Sequence, residues 1–174
     1  MTGTVYTVPP IPPDPAHTTY VDCGGLRIGV EARLLDDAEL EANYEGAAMD
    51  EIQAHLEDDE VVEDNGVSLH VVGADGHEYL RFDCFEREPH YHYIEPSGER
   101  QTIVEFDRVA HGEMLPWTFA QLRERLAPML ARAGGEAQLA ALDRARFLTA
   151  LAEVEKLATN AAAALAAGRR GATS

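Results

Sequence analysis

The sequence predicts an α+β domain: an antiparallel β-meander of four to six strands covered by C-terminal helices, with an acidic helical insertion between strands. Three observations carry this expectation. Apolar residues alternate with polar ones in the opening hairpin and over 67–106, they recur every three or four residues in 36–64 and in the last third, and Gly- or Pro-bearing turns separate the segments. At 174 residues and 45% apolar content, the chain suits one domain that buries a core without metal or disulfides.

Residues 1–17 hold five of the nine prolines, Pro9, Pro10, Pro12, Pro13 and Pro15. Fixed φ and missing amide hydrogens favour an extended arm over a helix or central strand. Such an arm is either a disordered tail or a strap along its own domain or a neighbouring subunit. The domain proper is expected over 18–167. It opens with a hairpin: Leu26, Ile28 and Val30 alternate with Arg27, Gly29 and Glu31, and Gly24-Gly25 supplies a turn.

The insertion, 36–64, begins with a capping-box pattern at Asp36 and Glu39. Leu40, Tyr44, Ala48, Ile52 and Leu56 then recur at every fourth position. This reads as one amphipathic helix, or two broken at Gly46. The meander spans 67–106, with strands around the GADGH and Pro-Ser-Gly turns, and Leu80, Phe82 and Cys84 on one inward face. The helical part is 116–166. Phe119, Leu122, Leu126, Met129 and Ala133 form a stripe with a kink expected near Glu124 because of Pro128. Phe147, Leu151, Val154, Ala158, Ala161 and Leu165 form a seam behind the cap residue Asp143. Residues 168–174 read as a frayed tail.

The net charge of -17 opposes direct nucleic-acid binding, which needs basic side chains to replace counterions. Between Glu31 and Asp64 there are fourteen acids and one base, Arg33. That stretch, with Asp36, Asp37, Asp58, Asp59 and Glu60, suits either a solvated surface or the docking face of a basic partner. Neither a basic leader nor an apolar run of about 18 residues is present, so the expected location is cytoplasmic, with no membrane contact. Cys23 and Cys84 fit no metal spacing, and one disulfide between them stays open.

The densest chemistry lies between Leu80 and Phe106. His90 and His92 alternate on a strand, so both imidazoles share a face about 6–7 Å apart, within reach of one metal ion. Ile94 shares that face, so a third ligand must come from across the sheet, from His77, Asp83, Glu105 or His111. Two histidines and a carboxylate make a facial site for zinc or iron, with positions open to water or substrate. Tyr91 and Tyr93 point the other way, either as an exposed binding pair or packed beneath helices. Cys84 with His90 and His92 is a weaker thiol–imidazole candidate, and no nucleophile elbow occurs.

The segments LRFDCFEREPHYHY and HGEMLPWTFAQLRERLAPMLARAG together resemble a small bacterial family of unknown function. Its members share an RFD strand, a PHYHY strand and a Trp-bearing helix. The resemblance covers Leu80 to Gly134 and implies no catalytic residues. Three functions are expected from the residues. The first is a non-catalytic acidic accessory subunit that contacts a protein partner through the arm and the insertion, with a homodimer through the last helix and the arm also expected. The second is a small metal-dependent enzyme, and the third is an acidic mimic of nucleic acid.

Overall fold

A computed structural model describes residues 2–56 and 62–172. In chain order the elements are β1 (Thr4–Tyr6), β2 (Thr18–Asp22), β3 (Arg27–Asp36), α1 (Asp37–Asn43), α2 (Ala47–Gln53) and β4 (Glu63–Val72). They continue with β5 (Glu78–Phe85), β6 (His90–Ile94), β7 (Gln101–Glu105), α3 (Arg108–His111), α4 (Met114–Glu124), α5 (Leu126–Arg132), α6 (Glu136–Ala140) and α7 (Arg144–Ala172). The strands form one seven-stranded sheet in the order β1-β7-β6-β5-β4-β3-β2, antiparallel throughout.

The sheet has one strand more than the upper expectation. The extra one is β1, a three-residue strand that pairs Thr4–Tyr6 with Gln101–Ile103 at the sheet edge. It was hidden inside the arm because TVY is too short to show a period. The opening hairpin forms as β2–β3 around Gly24 (φ 73) and Gly25 (φ 114), where side-chain-bearing residues would be strained.

Two helices, α1 and α2, separate β3 from β4, and the break between them falls at Gly46, the cap of α2. Asp36 caps α1: its Oδ1 accepts the Glu39 amide at 2.8 Å. An Asp36→Ala protein should therefore lose about 1 kcal/mol, read as a lower urea midpoint at unchanged slope. The helical stripe breaks at Arg125, the residue between α4 and α5. Pro128 cannot donate to the carbonyl of Glu124 and its ring crowds it, which accounts for the interruption there. Asp143 heads α7, accepting the Arg146 amide at 3.0 Å.

The two sheet faces differ. Ile28, Val30, Val67, Leu69, Leu80, Phe82 and Val104 point to one side, where they pack against the α4, α5 and α7 residues Phe119, Leu122, Leu126, Phe147, Leu151 and Val154. Each fully buried large apolar side chain contributes about 1.5–3 kcal/mol there. The other face carries Glu31, Arg33, Ser68, His70, Arg81, Asp83, His92 and Gln101, all buried although polar or charged. Alternation alone assigns such a face to solvent. Here the arm lies across it, with Val8 and Ile11 packed against Leu40 and Tyr44 of the α1 segment. Among the described residues, no helix is long and apolar enough to cross a membrane.

Candidate metal centre

The side chains of His90, His92 and Asp83 meet on the covered polar face. The β5–β6 register sets Asp83 opposite His90 and Arg81 opposite His92, which places the Asp83 carboxylate between the two imidazoles. That register is held at the connecting loop by Asp64, whose buried carboxylate accepts the amides of Glu86, Arg87 and Glu88 at 2.8–3.2 Å. Asp64 was counted with the acidic surface in the sequence. It is instead an internal clamp, 7% exposed, and Glu31 is likewise buried.

Asp83 Oδ2 lies 2.9 Å from His92 Nε2 and 3.3 Å from His90 Nε2. One nitrogen from each ring and one carboxylate oxygen all fall within 4.8 Å of one another. Neighbouring ligands about 2.1 Å from one ion, at tetrahedral or octahedral angles, stand about 3.0–3.4 Å apart, a spacing that the two Asp83–imidazole separations match.

The far side of each ring is fixed. His90 Nδ1 is 2.7 Å from the Glu88 carbonyl oxygen, and His92 Nδ1 is 2.7 Å from Gln101 Oε1. Gln101 Nε2 donates to the Val8 carbonyl at 3.2 Å, which turns its oxygen toward His92. Both partners are acceptors, so each Nδ1 is the donor, and each Nε2 faces Asp83 Oδ2, to which it donates when protonated and beside which a cation can take the place of that proton. The other carboxylate oxygen, Oδ1, accepts from the Ser68 hydroxyl.

Burial alone would raise the Asp83 carboxyl, but hydrogen bonds and charge from His90 and His92 hold it well below the usual carboxylate range. Burial pushes His92 down. His90 is raised, because Asp83 outweighs the burial that would lower it.

A second polar cluster adjoins the centre. His70 is buried, with Nδ1 2.6 Å from Glu78 Oε1 and Nε2 2.8 Å from Glu31 Oε2. Arg81 grips Glu78 through two bonds, at 2.9 and 2.8 Å, and Arg33 reaches Glu31 at 3.2 Å. Both nitrogens of His70 are occupied by carboxylates on opposite sides, so this group is an ionic brace for the sheet.

Of the other proposed ligands, none joins the three. Glu105 is the register partner of His90 but is exposed. His77 sits in the β4–β5 turn, edge-on to Tyr79, and His111 lies exposed on α3 beside Phe106 and Trp117. Tyr91 and Tyr93 do not form an exposed pair. They face the helices, where Tyr91 stacks near Phe82 and Trp117, and Tyr93, 8% exposed, lies under the Arg132 guanidinium. Cys84 shares that helix-facing side, with its thiol near Thr118 and raised by burial to about 12, so it cannot work with the histidines across the sheet. Cys23 and Cys84 are free thiols. Asp37 accepts the Val62 amide at 3.2 Å, while Asp58, Asp59 and Glu60 lie outside the described residues.

Sequence reasoning missed Ser68, Gln101, Glu31, His70, Glu78 and Arg81. A signal was present: Glu31/Arg33, Ser68/His70, Arg81/Asp83 and His90/His92 are polar pairs two residues apart on four adjacent strands. Pairs that align in this way build one polar face when the strands are stacked.

A family model described as a domain of unknown function (DUF7700) matches residues 20–158, a span that contains Asp83, His90 and His92. No curated protein and no solved structure matches the chain.

Proposed function

The chain belongs to this DUF7700 family of unknown function, and from the site geometry we propose that the protein is a small metal-dependent enzyme. One divalent ion, zinc or ferrous iron, is held by Asp83, His90 and His92. The observation that carries the reading is the aim of the two rings. Backbone and amide acceptors behind them hold both rings with Nε2 facing a single carboxylate oxygen, an arrangement that a cation replacing the Nε2 protons satisfies. Three protein ligands leave coordination positions for water or substrate. When bound there, such an ion would supply Lewis acidity, acidifying a water or polarising a substrate oxygen. His90 is the rim of the site and its side chain remains 18% exposed, so exchange with solvent occurs on its side.

Elemental analysis of protein purified without chelator tests this. It should give about one equivalent of zinc or iron per chain, lost in His92→Ala and in His90→Ala. Because His90 sits at the rim, His90→Ala should keep the far-UV spectrum of the parent, which separates ligand loss from unfolding. Folded parent protein that holds no metal, and takes none up on addition, would show a hydrogen-bonded triad only.

The accessory-subunit and nucleic-acid-mimic readings rest on charge. The exposed ends of α1 and α2 favour them to one extent: neither helix has a basic residue in its last turn. The arm those readings would extend to a partner lies across the chain's own sheet. Co-purification of a basic partner, abolished when the acids of 36–64 are neutralised, would restore the accessory reading.

A further inference from the structure

The arm over the polar face is joined to it by a distinctive set of contacts. Its prolines cannot donate to a strand, and four side chains hold the backbone instead. Glu51 takes the Thr7 amide, Gln101 donates to the Val8 carbonyl, the Tyr44 hydroxyl donates to the Pro9 carbonyl at 2.7 Å, and Glu31 accepts the Asp14 amide at 3.1 Å. Gln101, 3% exposed, serves two masters at once: its nitrogen holds the arm and its oxygen holds His92.

A primary amide is two-sided. While Val8 offers a carbonyl, the donor end of Gln101 must face the arm and the acceptor end must face His92. With the arm lifted, that restraint goes, and the amide can turn to present its N–H group to His92. His92 Nδ1 then becomes the acceptor and its single proton moves to Nε2, where it blocks the position a metal needs.

Resting on the metal centre proposed above, we infer that Gln101 is a positioning residue through which seating of the N-terminal arm selects the metal-binding tautomer of His92. Arm and ion are therefore coupled. The seated arm tightens the ion, and by linkage the ion tightens the arm by the same factor.

The test uses full-length protein and zinc or cobalt ions alone, with affinity measured by calorimetric titration and arm release by limited proteolysis within residues 7–17. Gln101→Leu, which can neither hold the arm nor accept from His92, should weaken the ion about 10- to 100-fold. Ile11→Asp, which unseats a buried anchor that packs with Val8, Leu40 and Tyr44, should weaken it in the same direction. Gln101→Glu separates the two duties. Its carboxylate still accepts from His92 Nδ1 but, when ionised, cannot donate to Val8, so affinity should equal or exceed the parental value, in contrast to Gln101→Leu, while the arm is cleaved faster.

In the parent, added zinc should slow cleavage of the arm, and in His92→Ala it should not. A parent that binds one ion, with Gln101→Leu and Ile11→Asp binding equally well, would overturn the coupling and leave the metal centre standing. Affinity lost in Gln101→Glu as fully as in Gln101→Leu would also overturn it. A parent that binds no ion would remove the metal centre and this inference with it. Circular dichroism of each variant guards against unfolding.

Discussion

Arg81→Met is expected to lower the unfolding free energy by about 3–5 kcal/mol. Arg81 is 2% exposed and grips Glu78 through Nε and a terminal nitrogen, on a face it shares with Glu31 and Asp83. Methionine fills much of the space but leaves Glu78, 14% exposed, with only His70 to meet its charge. The penalty is the uncompensated carboxylate, so a second change at Glu78 should remove part of it. The Arg81→Met/Glu78→Met double variant should be more stable than Arg81→Met alone. Urea titrations of the four proteins in the cycle measure the coupling. A loss below about 1 kcal/mol for Arg81→Met would mean that water reaches Glu78 readily and that the brace is not a sealed one.

Acidification should undo the same brace. Burial by itself would raise the Glu78 carboxyl, but the charge and bonds of Arg81 and those of His70 bring it from 4.5 to about 2. Its folded value lies below its unfolded one, so its stabilisation is complete above about pH 4.5 and is lost as pH falls toward 2. The gap corresponds to about 3 kcal/mol. Glu31 is lowered as well and adds to the loss in the same direction.

His70 has the opposite sign. Burial alone would lower it, but the Glu31 and Glu78 carboxylates raise it above 6.5. Its contribution is complete below pH 6.5 and disappears as pH rises through the folded value. Among the described residues, the other charged or titratable groups around this cluster include Arg33, Arg81, Asp83, Tyr20 and Tyr44. Urea midpoints between pH 2 and 9 should trace a dome with a steep acid limb. Glu78→Gln should flatten the acid side and His70→Asn the alkaline side. An acid limb unchanged in Glu78→Gln would assign the loss to other carboxylates.

Much of the fold was legible because local chemistry fixed it. Ile28 and Val30 alternate with polar neighbours, Gly24-Gly25 meets the positive φ of the turn, and Pro128 interrupts its helix where its ring collides with the preceding turn. The pairing of His90 with His92 on one face was legible for the same reason. The third ligand was not, because four candidates differ only in strand register. Slipping β5 by one residue would present Cys84 or Phe82 in place of Asp83, and what prevents the slip is Asp64, some twenty residues upstream. The brace escaped notice because a polar row on a strand reads as solvated until something covers it. The cover is the arm, whose position depends on Gln101 and Tyr44, both remote from it in sequence.

The proline content of the arm has a thermodynamic side as well. A segment with φ already locked at Pro9, Pro10, Pro12, Pro13 and Pro15 has few conformations to surrender when it settles, so docking costs less entropy than for a flexible segment of equal length. Modest contacts at Val8 and Ile11 can then hold it down, and modest disturbance can let it go. A stiff cover of this kind detaches as a rod rather than fraying residue by residue. Amide exchange at Thr7, Val8 and Asp14 would accordingly occur in one cooperative event, at a common rate distinct from that of the strands beneath.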